Sequence, residues 1–203
     1  MSSTKRLAIA GIIAAALTLT ACTGTNGQGP TNGPSESATP TPTATSFDPP
    51  ADEDEAIDNA DAAVTNWLAV RGEVNATGGT DVERLEQLAT GRALEITLND
   101  AATVANGPVL NEDGEQIDGP ATTEGAFTHE TLSAYAQEYE GTANGLVTIN
   151  ACQDASGYTI TTSDGSPAMR PENLRALIDY QVIYDAERRA WLVYDVVSLN
   201  QPC

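Results

Sequence analysis

After Cys22 the chain contains no lysine, and the sequence as a whole has one histidine, three cysteines and 5% aromatic residues. The part of the chain after Cys22 has seven arginines and 29 acidic residues, which gives it a formal charge of about −22. A negative field of this size repels nucleic acid and anionic lipid. We therefore expect no nucleic-acid partner. We interpret the acidity as a source of solubility rather than as a cation-binding surface. No apolar run of spanning length occurs after Cys22.

The first 22 residues have the order of a secretory leader. Lys5 and Arg6 precede an apolar stretch, residues 7–21, that is shorter than the roughly 20 residues of a spanning helix. Small residues then run directly into Cys22, which resembles the lipobox of bacterial lipoproteins. The resemblance implies cleavage after Ala21 and acyl chains, such as palmitate, on Cys22. These would hold the protein on the extracytoplasmic face of the cell membrane. A plain secretory leader with an incidental cysteine is the alternative.

Composition divides the rest of the chain in two. Residues 22–50 are rich in proline, glycine, threonine and serine, and they hold too few apolar side chains to offset the entropy of ordering. We interpret this segment as a disordered tether behind a signal peptide of residues 1–21. Residues 51–203 have the length and the apolar content of a single globular domain.

Two cysteines remain once Cys22 carries lipid, and an even pair outside the cytoplasm indicates a disulfide between Cys152 and Cys203. A catalytic cysteine needs a histidine base, and His129 is the only candidate. A zinc site would need both thiols, His129 and a carboxylate to converge, without close ligand spacing. We therefore expect no metal and no cofactor.

Three helices are predicted in the first half of the domain. Asp52 with Glu55 and Thr80 with Glu83 have capping-box spacing, so a helix should begin at each. Gly72 weakens the first helix, Gly78 and Gly79 end it, and the turn at residues 106–108 ends the third. The apolar stripes are Ile57, Ala60, Val64, Trp67, Leu68 and Arg71; Val82, Leu85, Leu88 and Ala89; and Leu94, Leu98, Ala101 and Ala105.

The second half is predicted as sheet. Residues 111–119 suit a turn-rich loop better than a calcium loop. Residues 127–139 fit either a helix or a strand, and we predict a strand because threonine and tyrosine favour strands. Further strands are predicted at residues 146–152, 157–162, 175–184 and 190–199, the last two joined by a polar hairpin loop. Helices before antiparallel strands predict an α+β domain, with the helices packed on a curved sheet of four to five strands.

This layout resembles the nuclear transport factor 2-like, or ketosteroid isomerase-like, cone fold of actinobacterial-type lipoproteins. The resemblance depends on the Trp67 helix, the strand through Cys152, the tyrosine-rich strand, the strand at Trp191 and the terminal Cys203. It would cover most of residues 51–203. Such domains include isomerases, dehydratases and binding modules, so the resemblance implies a fold and no single activity.

Isomerases of this family use a carboxylate base and a tyrosine inside the cone. Candidate acids here are Asp154, Asp179 and Asp195, and the tyrosines are Tyr135, Tyr139, Tyr158, Tyr180, Tyr184 and Tyr194. Alternation places Asp179 and Tyr180 on opposite faces, and it places Asp195 on the face of Trp191 and Val193. No residue-by-residue match to an isomerase site follows, so we assign no catalytic residue. We predict a membrane-anchored binding module for a small apolar ligand or another envelope protein. An isomerase- or hydratase-like enzyme and a structural envelope protein are the alternatives.

Overall fold

Helices precede strands in the computed structural model, which describes residues 48–203. The leader, Cys22 and the tether up to residue 47 lie outside the described residues. The helices are α1 (Glu53–Ala76), α2 (Glu83–Glu86) and α3 (Gly91–Asn106). The strands are β1 (Val109–Leu110), β2 (Gln116–Ile117), β3 (Thr122–Glu124), β4 (Thr128–Tyr139), β5 (Thr142–Asp154), β6 (Thr159–Thr161), β7 (Arg175–Asp185) and β8 (Ala190–Pro202). No helix within residues 48–203 has the length and apolar character needed to cross a bilayer.

The fold is α+β with antiparallel sheets. The main sheet has the strand order β4-β5-β7-β8, and hairpins join β4 to β5 and β7 to β8. The ambiguous residues 127–139 thus form strand β4, apart from Phe127, which precedes it. Residues 157–162 contribute β6, which pairs with β3 in a separate two-stranded sheet. The predicted loop at residues 111–119 holds the turn and the second strand of the short β1–β2 hairpin.

Helix α1 begins as its sequence predicts. The Asp52 carboxylate accepts a hydrogen bond from the Glu55 backbone N–H at 2.9 Å, so the first turn is capped. The helix passes Gly72 without a break. A Cβ added at Gly72 would lie 2.8 Å from the Ala126 Cβ, so this glycine permits close packing rather than weakening the helix. Beyond the helix, Gly78 has φ +83°.

The structure corrects the predicted start of the second helix and part of the predicted face of the third, whereas the predicted stripe of the second helix is buried at Leu85, Leu88 and Ala89. Helix α2 has four residues and an uncapped start, because Thr80 donates its hydroxyl to the Thr77 carbonyl behind it rather than capping forward. Helix α3 buries Ala93, Thr97, Ala101 and Val104. Ala101 belongs to the predicted stripe, and the other three each lie one residue before a predicted position. Thr97 tolerates burial because its hydroxyl donates to the Ala93 carbonyl at 2.9 Å.

The main core lies between α1 and one face of the four-stranded sheet. Trp67 projects from α1 and meets Tyr180 of β7 edge to face, with ring centroids 6.2 Å apart. The alternation of β5 and β7, together with β8, supplies the rest of this face. Its fully buried strand residues are Val147, Ile149, Ala151, Tyr180, Val182 and Val193. Asp179, beside Tyr180, points to the other face and accepts a hydrogen bond from Asn150.

The prediction that Asp195 shares a face of the sheet with Trp191 and Val193 is wrong. A register shift in the β7–β8 pairing, beyond Val193, places Asp195 opposite Gln181 on the outer side. Val196 instead continues the inner face and packs against the core. An extra residue in one strand reverses the alternation of its side chains, and a period-two count cannot detect it.

Candidate functional site

A cleft opens beside the main core, between α1, α3 and the segments around β1 and β6. It has a volume of about 360 Å³ and adjoins a second lobe of about 170 Å³. Both lobes are bordered by Phe127, Tyr158, Ile160, Ala168 and Met169. The larger lobe is also lined by Arg71, Asn75, Asp100, Thr103, Val104, Pro108, Val109 and Leu110. Its walls are therefore mainly apolar, with a few polar groups from the two helices.

Arg71 and Asp100 link α1 to α3 at the cleft. The Arg71 Nη2 donates to the Asp100 carboxylate at 2.5 Å, and the guanidinium lies 4.4 Å from the centroid of the Phe127 ring. The Arg71 side chain is 14% exposed and that of Asp100 is 37% exposed. A guanidinium this far from water needs a partner, and it has both a carboxylate and an aromatic face.

Asn75 follows Arg71 by one helical turn and holds Tyr158. Its Nδ2 donates to the Tyr158 hydroxyl at 2.9 Å. The Tyr158 ring packs against Phe127 with centroids 4.5 Å apart. Burial raises the pKa of the Tyr158 phenol, so the hydroxyl keeps its proton at neutral pH. These contacts fix the orientation of the Asn75 side-chain amide.

Two polar atoms at the cleft have no hydrogen-bond partner among the described residues. They are the Asn75 Oδ1 and the Arg71 Nε, both buried. Asn75 as a whole is only 2% exposed. In folded proteins most buried carbonyl and N–H groups have a hydrogen-bond partner, because a buried polar group without one costs free energy. Both atoms have almost no accessible surface, so they belong to the protein interior behind the α1 wall of the cleft rather than to its open surface.

The predicted cysteines lie elsewhere, at the end of the main sheet. The sulfur atoms of Cys152 in β5 and Cys203 are 2.03 Å apart, and their Cα atoms are 5.8 Å apart. Arg175 donates to the Cys152 sulfur at 3.2 Å. Cys22 lies outside the described residues. Within residues 48–203, no three histidine, cysteine, aspartate or glutamate side chains gather as a metal site would require.

The structure scatters the other residues weighed for catalysis. His129 contacts the Asp61 carboxylate at 3.0 Å, and Tyr180 donates to the Gln153 side chain at 2.6 Å. Asp154 accepts from the Ser156 backbone N–H at 2.7 Å, and hydrogen bonds with Ser156 lower the Asp154 pKa. Of all these candidates, Tyr158 alone lines the described cleft.

Sequence reasoning missed Arg71, Asn75 and Asp100 as site residues, although a signal for two of them was present. Arg71 lies on the apolar stripe of α1, and Asn75 follows it by four residues on the same face. Polar residues that continue a buried stripe require polar partners or a polar cavity. Asp100 carries no such signal, because its place beside Arg71 depends on the packing of α3.

Comparison with known proteins assigns no family. No family model matches the chain, and no curated protein matches it. One solved structure with similarity is the intermembrane space region of the chloroplast protein ARC6. It has 13% sequence identity and a TM-score of 0.41, and the match covers 70% of this chain and 95% of that one. Similarity at this level identifies neither a family nor a function.

Proposed function

We propose that this chain is an extracytoplasmic binding module, held at the membrane by lipid on Cys22, and that its folded part takes a small, largely apolar ligand. The observation that carries the ligand proposal is the cleft beside Phe127 and Tyr158. Its walls are apolar and its polar groups are few and convergent, as in most small-molecule sites.

Binding is favoured over catalysis because the reactive groups at the cleft are occupied with one another. The Asp100 carboxylate is held by Arg71, and the Tyr158 hydroxyl accepts a hydrogen bond from Asn75. A general base needs a free lone pair directed at the substrate proton. Asp100 instead neutralises a guanidinium, which suits it to a structural role at the rim of the site.

We also propose that the sheet forms the curved wall of a nuclear transport factor 2-like cone. Register shifts in the β4–β5 and β7–β8 pairings support this, because bulges bend and twist the strands that carry them. Trp67 and Tyr180 fill the space between the sheet and α1. The ligand space would then be the cleft beside this packed interior.

The neutral dye Nile red, which fluoresces in apolar surroundings, tests the ligand proposal on the mature chain carrying Cys22→Ala. We expect saturable binding that Thr103→Trp weakens at least tenfold, because Thr103 lines the cleft from the exposed side of α3. Ala102→Trp is the matched control, since Ala102 is exposed on the same helix and does not line the cleft. Equal dye binding by both variants, or no saturable binding at all, would contradict the proposal.

The anchor has a separate test. Replacing Cys22 with Ala removes the only thiol near the predicted cleavage site, so we expect the protein to move from the membrane fraction to the medium. Immunoblots of the two fractions measure this. Retention of the Cys22→Ala chain at the membrane would disprove lipid anchoring through that residue.

A further inference from the structure

Resting on the proposed function, we infer that the ligand of the cleft is an amphipathic carboxylate, with a single negative charge on an elongated apolar body. Arg170, at the smaller lobe of the cleft, binds the carboxylate, and the two lobes hold the apolar body.

Arg170 is the one arginine of residues 48–203 that has no carboxylate oxygen within 4.0 Å. The others each lie that close to an aspartate or a glutamate; they are Arg71, Arg84, Arg92, Arg175, Arg188 and Arg189. With 29 acidic residues and seven arginines after Cys22, the chain has acids enough to pair every arginine. The unpaired guanidinium of Arg170 is therefore a positive charge that remains open to an anionic ligand.

Backbone carbonyl groups fix the Arg170 guanidinium at the smaller lobe. Its Nη2 donates to the carbonyl oxygens of Ala155 at 2.8 Å, Tyr158 at 3.1 Å and Ser156 at 3.3 Å. Ala155, Tyr158 and Arg170 all line that lobe. Neutral carbonyl groups orient the guanidinium without cancelling its charge, and its Nε and Nη1 donate to no acceptor among the described residues. Arg170 is exposed, so a ligand head that enters from solvent reaches this side chain.

The single charge of the head follows from the surroundings of Arg170. One guanidinium balances one negative charge, and a chain near −22 repels any excess. Asp154, beside Ala155 in the sequence, accepts from the Ser156 N–H at 2.7 Å and lies 3.8 Å from Arg175, so it does not neutralise Arg170. A carboxylate would accept a charge-assisted hydrogen bond from the Arg170 Nε or Nη1.

The apolar body follows from the walls of the cleft. The lobes, of about 360 and 170 Å³, adjoin at Phe127 and Met169, which line both. Apolar side chains continue to the surface, because Leu110 and Met169 line the cleft and are 42% and 49% exposed. An elongated body would cover these side chains as well as the walls, and the burial of apolar area would supply most of the affinity. The unpaired atoms of Asn75 and Arg71 lie behind the wall, so the body needs no polar group.

Four compounds with one octyl chain test the head group by titration calorimetry on the mature chain carrying Cys22→Ala, at about pH 8. They are nonanoate, 1-octanol, octylammonium and octyl phosphate. We expect nonanoate to bind about fivefold tighter than 1-octanol, as an ion pair with an exposed arginine allows, and octylammonium to bind more weakly than the alcohol. Octyl phosphate carries nearly two negative charges at this pH, so it should bind more weakly than nonanoate.

Arg170→Gln locates the carboxylate. Glutamine keeps N–H donors but removes the charge, so nonanoate and 1-octanol should then bind within about twofold of each other. Arg188→Gln is the matched control, because Arg188 also donates to a backbone carbonyl and lines neither lobe. It removes the same charge from the chain, and the preference of about fivefold should persist. Circular dichroism shows whether each variant folds, and should Arg170→Gln fail to fold, the ranking of the four compounds on the unaltered cleft decides.

Equal binding of nonanoate and 1-octanol, or tightest binding of octylammonium or octyl phosphate, overturns the inference. A nonanoate preference that survives in a folded Arg170→Gln chain does the same. In each of these outcomes the octyl chain still binds, so the proposed function stands. If Nile red binds saturably and no octyl compound binds, the inference alone fails. If neither the dye nor any octyl compound binds, the inference and the proposed function fail together.

Discussion

Changing Asp100 to Asn tests whether the contact between α1 and α3 holds the cleft together. Asparagine keeps the shape and one acceptor oxygen but removes the negative charge that faces Arg71 at 2.5 Å. The guanidinium is 14% exposed and cannot turn fully into water, so it would retain a neutral partner only. We expect a clear loss of folding stability from this single change.

The magnitude follows from the exposure of the pair. Breaking a fully buried ion pair costs about 3–5 kcal/mol, and exposed pairs contribute about 0–1 kcal/mol. With Asp100 37% exposed, this pair lies between those limits. We expect Asp100→Asn to lower the free energy of unfolding by about 2 kcal/mol, and at the size of this domain Tm should fall by about 6 °C.

Glu73→Gln is the matched control. Arg84 and Glu73 also meet at 2.5 Å, but their side chains are 25% and 48% exposed. Aspartate to asparagine and glutamate to glutamine change helix propensity little, so the comparison isolates burial. We expect about 0.5 kcal/mol for Glu73→Gln. Urea unfolding of the mature chain carrying Cys22→Ala, followed by tryptophan fluorescence, measures both. Equal losses for the two variants would refute the argument from burial.

Three further outcomes are expected. Reducing the Cys152–Cys203 bond, which closes a separation of 51 residues, should remove up to about 4 kcal/mol of stability, and unchanged melting under reductant would count against the bond. Gly79→Ala should destabilise far more than Gly141→Ala in thermal melts. Both have positive φ, but a Cβ at Gly79 would lie 2.1 Å from a backbone oxygen of α3, while Gly141 has open space around it. Asp52→Ala should lower the free energy of unfolding by about 1 kcal/mol, because α1 loses its N-terminal cap. An unchanged melting temperature, followed by circular dichroism of the helices, would contradict that role.

Local signals in the sequence predicted much of the fold. The cap at Asp52, the end of α1 before Gly78 and the end of α3 at residues 106–108 depend on a few neighbouring residues, and they appear where expected. The β7–β8 hairpin and the strand at residues 127–139 follow from composition and alternation. Such features form through contacts between near neighbours, so a single chain reveals them.

Features that depend on distant partners were missed or misplaced. Asp195 changes face because of a bulge in its pairing with β7. The Thr80 cap is a local exception, because Thr80 donates to the carbonyl of Thr77 three residues before it. Residues 157–162 pair with β3 rather than with the main sheet, and three-residue strands carry too little pattern to specify a partner.

For the candidate site, the sequence by itself determined that α1 carries Arg71 and Asn75 on a buried stripe, because helical spacing places residues four apart on one face. Only the tertiary structure brought Asp100, Phe127 and Tyr158 to that stripe and left the Asn75 Oδ1 without a protein donor. The physical reason is that the pairing of polar atoms here depends on how three separate segments pack against one another. The hydrophobic effect drives that packing but has no direction, so a sequence pattern does not show which polar atoms will meet.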